Sequence, residues 1–398
     1  AANTILPLYI SRLTDSKLAL GLLSTIASMG WLAPQLFTAN WVQRLPRKKI
    51  VPVNWGLFLE RLPVLLMIPA VWLLATRAPL AALIVFLLLY AWHAGGAGLL
   101  AVAWQDMIGK IIPLERRGFF MGVTNFGGTA TGVLGATAAA WMLDHFAFPT
   151  GYVLSFASAG ILILISWGFL ALTREPAQES QVKTISQAEY LKQLPTVLRA
   201  DPNFRAFLIS RIILTLGGMA TGFLAVYAAQ RWDLSDGQVG MFTASTLIGQ
   251  AACNLLFGPL ADRKGHKLVL QIGYLGGCAA VGLAAVAPQP GWFYGVFALL
   301  GAANAAFMIS GTMIALEFSP PEIRPTYIGL NNTVAGLIGG LAPLIGGGLA
   351  ELIGYRALFA LTFGVGIAGV SILHWAVREP RRESSQAGLP QPTLGEVK

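Results

Sequence analysis

Charge is what this sequence has least of. Only 11% of its 398 residues are Asp, Glu, Lys or Arg, where a soluble domain carries about 25%. So little charge cannot cover a water-facing surface, and the 55% hydrophobic content points to lipid as the solvent. The two cysteines, Cys253 and Cys278, sit in separate apolar stretches without C-x-x-C spacing. Neither a disulfide framework nor a structural zinc site is indicated. The sequence has no Gly-x-x-x-x-Gly-Lys-Ser/Thr phosphate loop and no His-Glu-x-x-His string, and its four histidines are scattered. ATP-driven pumping and clustered catalytic chemistry therefore lack their usual signatures, and no cofactor or metal is implied. No cleavable signal peptide is visible.

Glycine is abundant, with 45 residues, as it is in membrane helices that pack closely. A helix that crosses a bilayer needs about 20 mostly apolar residues. Apolar segments run over about 18–41, 50–75, 80–108, 117–143, 148–172, 205–229, 236–260, 268–288, 291–318, 326–350 and 355–377. Residues 1–11 are apolar but too short to cross, and they read as the tail of one more span. The expected fold is an all-α membrane protein of twelve spans.

Basic residues set the orientation, because short loops rich in Lys and Arg stay in the cytoplasm. Twenty of the 27 basic residues fall on one side, in the loops around 44–49, 110–117, 174–205, 263–267 and 324 and after Arg378. Five fall on the other side: Arg12, Lys17, Arg77, Arg231 and Arg356. Both termini are then cytoplasmic, in a plasma (inner) membrane protein. This topology accounts for the net charge of +9, so membrane lipids are implied as partners and nucleic acid is not.

The halves of the chain can be superimposed. Ala39 to Lys48 lies against Gly258 to Lys267 at an offset of 219, and Tyr9 and Asp15 lie against Tyr227 and Asp233 with one gap. Pro113-Leu114-Glu115-Arg116-Arg117, then Gly122 and Asn125, lies against Pro320-Pro321-Glu322-Ile323-Arg324, then Gly329 and Asn332, at an offset of 207. Each half closes on Arg-Glu-Pro, at 174–176 and 378–380. An internal repeat across two membrane halves points to a transporter with its substrate site near the midplane. The expected domains are a six-helix bundle over 1–173, a cytoplasmic linker over 174–204, a second six-helix bundle over 205–378 and a disordered cytoplasmic tail over 379–398. In the linker, Ser186 and Glu189 have capping-box spacing for a short surface helix that Pro195 should break. The repeat also leads us to expect an N-terminally truncated first span, which would have begun a dozen or so residues before Ala1. A chain lacking that stretch is expected to transport poorly.

The string Gly258-Pro259-Leu260-Ala261-Asp262-Arg263-Lys264-Gly265-His266-Lys267 resembles the signature loop of the major facilitator superfamily, which follows the second or eighth span. With twelve spans and the repeat, the resemblance covers nearly the whole chain. It implies a two-bundle (6+6) transporter that rocks around a central cavity, acts as a monomer, and uses this loop as a conformational switch. On their own chemistry, Gly258 and Gly265 permit a close helix approach and a tight turn. Asp262 suits a helix N-terminus, and Arg263 and Lys267 can pair with Glu317, Glu322 or anionic lipid. The N-terminal copy has Ala39, Gln43 and Pro46 in place of the two glycines and the acid, which leaves it the topology role. Two patterns of the superfamily's drug–proton antiporters are absent. No arginine precedes Gly96-Ala97-Gly98, where Trp92 and His93 stand instead. The fifth span has Gly127, Gly128, Gly132 and Gly135 but no proline.

Ionisable groups inside spans are expensive, at about 2.5–3.5 kcal/mol on insertion scales, and mark candidate sites. Glu60 and Arg61 lie near mid-span. Adjacent residues diverge by about 100° on a helix, so each should find its partner on another helix. Glu60 is either a proton carrier or half of a structural ion pair. His93 is either a second proton site or is satisfied by a backbone carbonyl. Arg211 either meets an anionic substrate or snorkels to the headgroups. Asp106 and Glu317, at the ends of their spans, are candidate gate partners of basic loop residues, together with Glu322. Gln35, Asn125, Asn254 and Asn332 form two repeat-related pairs, suited either to hydrogen-bonding a solute or to joining helices. The function expected is secondary active transport of a small-molecule solute by alternating access, with proton-coupled efflux as its first form. Uniport or symport of a sugar-like or other small metabolite is the alternative, and a membrane-embedded enzyme or receptor the distant one.

Overall fold

A computed structural model describes residues 2–14, 17–32, 34–178, 186–234 and 236–381. Every regular element among them is a helix. In chain order these are α1 (Ala2–Leu13), α2 (Lys17–Leu32), α3 (Gln35–Val42), α4 (Val51–Leu74), α5 (Pro79–Ile111), α6 (Arg117–His145) and α7 (Thr150–Leu172). After these come α8 (Gln187–Ala200), α9 (Pro202–Trp232), α10 (Asp236–Lys264), α11 (His266–Val286), α12 (Trp292–Phe318) and α13 (Arg324–Trp375). Seven of them, α4, α5, α7, α9, α11, α12 and α13, are individually long and apolar enough to cross a membrane. Counting α2 and α3 as one helix and α13 as two broken at Gly354 (φ 77°), and leaving aside the linker helix α8, the chain has twelve helices of a membrane protein. Its exterior explains the shortage of charge: large apolar side chains such as Leu172 and Leu352 are 76% and 81% exposed, which only lipid tolerates. In hydrocarbon every backbone polar group must be satisfied within its own segment, and helices do this.

Two local features depart from the expected reading. The first eleven residues of α4 wind mostly as wider π turns, over Val51–Trp55 and Leu57–Arg61, and α12 repeats this at Phe307–Gly311. Such turns are rare and gather at functional positions. In the linker, Ser186 accepts from the Glu189 backbone N–H at 3.2 Å and starts α8, but Pro195 does not stop it. The helix continues to Ala200 because the burial of Tyr190 and Leu194 holds its inner face. The tail beyond Arg381, the linker stretch 179–185 and Asp15 lie outside the described residues.

The chain divides into two compact units. One comprises Ala1–Leu114, Val123–Lys192 and Pro321–Gly354, and the other Glu115–Gly122, Gln193–Pro320 and Tyr355–Lys398. Each sequence half thus lends a segment to the unit built mainly from the other half. Each unit has a matching aromatic core. In the first, Tyr9 is fully buried, with its ring centroid 4.9 Å from Phe86, 5.2 Å from Tyr152 and 6.0 Å from Phe156. In the second, Tyr227 stands 6.2 Å from Phe293, 5.9 Å from Tyr355 and 5.1 Å from Phe359. These are the repeat-equivalent positions, so the repeat extends to three residues that sequence comparison left unmatched. Lipid provides no hydrophobic drive between helices, so such clusters hold by packing, with roughly 0.5–1.5 kcal/mol per ring pair beyond burial.

Candidate functional site

The basic loops end on two buried carboxylate clusters. Glu175, the acid of the first Arg-Glu-Pro, accepts from the backbone N–H of Lys48 (2.9 Å) and Lys49 (2.7 Å) and from Lys110 Nζ (3.1 Å). It thereby satisfies N–H groups at the entry to α4, where a helix start has no internal acceptor. Lys49 Nζ ties the same loop to the end of α7 through Thr173 O (2.7 Å). Lys48 is largely buried and burial lowers its ammonium pKa, while Asp106 stands 3.7 Å away. In the second half, Glu379 of the second Arg-Glu-Pro lies against Gly265, where any Cβ would collide with its carboxylate. Gly265 also has φ 93°, a conformation that glycine adopts without strain. Beside it Arg381 donates to Glu317 Oε1 (2.5 Å) and to the carbonyls of Ala261 (3.1 Å) and Asp262 (2.8 Å). His266 Nε2 is 3.6 Å from Glu317 and its Nδ1 is 2.9 Å from Ser310. Lys110 and Glu317 are repeat equivalents, but Glu175 corresponds to Glu379, so the second half sets a carboxylate where the first has a lysine, and Arg381, from just beyond the tripeptide, donates to it.

Inside each unit, residues of the two sequence halves meet. Asp262 accepts from the backbone N–H of Gly118 (2.7 Å) and Phe119 (2.6 Å), the first turn of α6. A helix start offers unpaired donors and a positive dipole end to a carboxylate. The approach requires glycine on both helices: a Cβ on Gly118 would lie 2.5 Å from Gly258 O, and one on Gly258 2.7 Å from Gly118 O. The equivalent contact in the other unit uses different chemistry. Pro325, at the position matching Gly118, has no N–H, and Gln43 instead accepts from the Thr326 hydroxyl at 3.0 Å. Thr326 in turn accepts from Tyr190 of α8 at 3.1 Å. Burial pushes the Tyr190 phenol up to about 12, so it remains a neutral donor. Gln43, expected to serve topology alone, is therefore a buried contact residue. Asp106 is 3.4 Å from Arg324 at the start of α13. Glu317 takes Arg381 as its partner, not Arg263 or Lys267. Lys267 donates to His374 O at 2.9 Å, and Arg263 and Glu322 are exposed.

The amides divide. Asn332 donates to Gln35 Oε1 (2.7 Å) and Gln105 Oε1 (2.9 Å), accepts from Asn331 (3.0 Å), and joins α3, α5 and α13 in the first unit. Gln35 closes the chain on Trp31 O at 2.8 Å. Asn254 is fully buried with neither side-chain atom partnered among the described residues, and Asn125 has an unpartnered amide nitrogen.

Glu60 and Arg61 bond each other, contrary to the expectation of partners on separate helices, and Arg61 also donates to Gly56 O at 3.2 Å. The π turn narrows the angle between successive residues, and the long arginine folds back along its own helix. His93 Nδ1 lies 2.7 Å from Glu60 O. A carbonyl only accepts, so Nδ1 carries the hydrogen. The Glu60 side chain keeps 22% exposure.

Arg211 does not snorkel. It is 2% exposed, its guanidinium lies 4.7 Å over the Phe307 ring, and Nε and Nη1 have no hydrogen-bond partner among the described residues. A buried charge left without its partner costs about 3–5 kcal/mol. Phe307 and Tyr274 border a cavity of about 430 Å3 inside the second unit.

Reading residue types missed Gln105, Glu175, Gly118 and Arg381. Glu175 carried a signal, the repeated tripeptide. The others bond to backbone atoms or to residues far along the chain and leave no local pattern.

The Major Facilitator Superfamily profile matches residues 1–229 and, a second time, residues 207–397. An uncharacterized MFS-type transporter of Methanocaldococcus jannaschii is 26% identical over 264 residues, 65% of this chain and 63% of that one. The multidrug resistance protein MdtG of Klebsiella pneumoniae is 24% identical over 290 residues, 70% of this chain and 68% of that one. The match thus spans about two thirds of the length of these curated relatives. Among solved structures, the MFS transporter FucP in the outward conformation superposes with a TM-score of 0.69 at 17% identity, over 92% of this chain and 93% of that one.

Proposed function

This chain belongs to the major facilitator superfamily, and we propose that it is a proton-coupled exporter whose basic loops, termini included, face the cytoplasm of a plasma (inner) membrane. As a member of the family it is a multi-pass secondary transporter with a small-molecule substrate. In the proposed cycle the halves 1–173 and 205–378 move against each other, joined by the linker 174–204, to open the substrate site to one side and then the other. Asp262 is the latch. In the closed position it accepts from Gly118 and Phe119 of the opposite sequence half, and this observation carries the reading. Releasing two N–H groups and one carboxylate to water lets the cytoplasmic ends part. Gly258 and Gly265 keep the latch close and turned, Arg263 and Lys267 hold its topology, and Asp106–Arg324 with Gln43–Thr326 form the matching contact. Glu317 braces the latch through Arg381, and Glu322 is free to meet basic loops in the opened state. Gln35, Asn332, Asn125 and Asn254 are the proposed solute-facing or rearranging amides. The efflux direction draws support from the relative named as a multidrug resistance protein.

Glu60 is the proposed proton carrier and His93 its relay. The support is a partly exposed carboxylate on the residue whose backbone carbonyl holds His93. One observation favours a second reading, a gradient-independent uniporter or symporter of a sugar-like or other small metabolite: Arg61 bonds Glu60 directly, as in a structural ion pair. Flux of a labelled solute panel in proteoliposomes, with and without an imposed proton gradient, separates the two. Proton coupling requires flux that rises with the gradient and loses that response in Glu60→Gln. Flux indifferent to both leaves the second reading.

A further inference from the structure

A buried arginine with idle donors and an adjoining cavity form a combination that the transport cycle above does not use. The cavity belongs wholly to the second unit and is bordered by α9, α10, α11, α12 and the last part of α13. Its volume, about 430 Å3, falls in the range of roughly 300–1,000 Å3 that holds small-molecule ligands. Its walls are mainly apolar, with Leu214, Phe297, Leu300 and Phe307 among them. Three of its hydroxyls are already engaged: Thr215, Thr221 and Thr246 donate to carbonyls of their own helices at 2.8, 2.8 and 3.0 Å. Positive charge at its edge comes from Arg211. That guanidinium sits behind the Phe307 ring at 4.7 Å and beside the Gly311 end of the π turn, and Tyr274 interacts with it electrostatically. Phe307 is 38% exposed, so its ring can turn aside without unpacking a core. Among the described residues no carboxylate lies within ion-pair distance of Arg211.

We propose that this cavity binds a small organic anion, with the apolar body against Phe297, Leu300 and Phe307 and the carboxylate on Arg211 after the Phe307 ring swings away. The anion provides the missing counter-charge, and charge-assisted bonds to guanidinium are about twice as strong as neutral ones. The site lies within one bundle, so its occupation is separable from passage of a solute between the halves.

Binding of labelled benzoate and of its neutral isostere benzamide to the purified chain in an uncharged detergent tests this without any flux measurement. Benzoate should bind saturably and on the order of tenfold or more tighter than benzamide, the difference expected of hydrogen bonds to a charged group. Arg211→Gln should remove that preference while leaving benzamide binding in place, and Arg211→Lys should keep part of it. Gly277→Leu is the second variant. A Cβ there meets only Ala303 Cβ, at 3.8 Å, so the side chain can grow into the cavity and should abolish binding of both probes even if Arg211→Gln does not fold. Equal binding of the two probes, no saturable benzoate binding, or benzoate binding unchanged by Gly277→Leu would each overturn the proposal. Displacement of benzoate by phosphatidylglycerol would also overturn it, by making the occupant a lipid headgroup. The transport reading stands or falls separately, on flux.

Discussion

Glu175 meets three donors with one carboxylate, and two of them are backbone N–H groups. A carboxylate so placed contributes more than a surface ion pair, because its removal leaves buried donors unsatisfied. Glu175→Ala is expected to destabilise the chain by about 3 kcal/mol, read as a lower midpoint of thermal unfolding in detergent. Glu175→Gln, which keeps acceptor oxygen but not charge, should lose about half as much. No change in Glu175→Ala would refute the assignment of Glu175 as the anchor of the first basic loop. Ionisable residues within spans stood out in the sequence because each is rare in apolar surroundings. Their partners did not. The Glu60–Arg61 pair depends on a π turn that no residue type signals, and the solitude of Arg211 depends on what is absent from around it.

At the scale of elements, spans were legible because apolar length is a direct record of bilayer thickness. The break at Gly354 and the single span made from α2 and α3 fall where apolar segments were expected to end or continue. Local chemistry misled at Pro195, where burial of neighbouring residues outweighs the lost backbone bond. The α6–α10 crossing depends on glycines facing each other, a feature readable in sequence only once the partner helix is known. Gly118→Leu should push α6 from α10 and cost about 2–4 kcal/mol, since the clash is with backbone carbonyl rather than a flexible side chain. Gly128→Leu on the same helix meets nothing within 4 Å and should leave the unfolding midpoint unchanged. Equal effects would contradict the close crossing. Helix α8 is joined to the start of α13 through Tyr190 and Thr326. Tyr190→Phe should cost about 1 kcal/mol and speed cleavage of the linker in limited proteolysis. An unchanged cleavage rate would show that the tether carries no weight.

At the scale of the whole molecule, the repeat was the most informative feature of the sequence. It marks the basic loops, the Arg-Glu-Pro endings and the symmetric amides. It did not foretell that equivalent contacts would use unlike chemistry. Asp262 holds α6 by two backbone N–H groups, Gln43 holds α13 by a threonine hydroxyl, and the position of Lys110, which donates to Glu175, is taken by Glu317, which accepts from Arg381 instead. A repeat preserves where contacts fall more strictly than which atoms make them, so half of the candidate latch was invisible to residue matching. The proposed cycle rests on the stronger half. Replacing the Asp262 carboxylate by an amide removes the charge from two hydrogen bonds, worth about 1.4 kcal/mol or a tenfold change in the closed-to-open ratio. The most direct measurement is the distance distribution between spin labels at exposed Phe119 and Arg263, with Cys253 and Cys278 replaced by serine. A latch at Asp262 requires a dominant short component and a minor longer one, with Asp262→Asn moving population to the longer by about tenfold. A single short distance, the same with and without the aspartate, would contradict it.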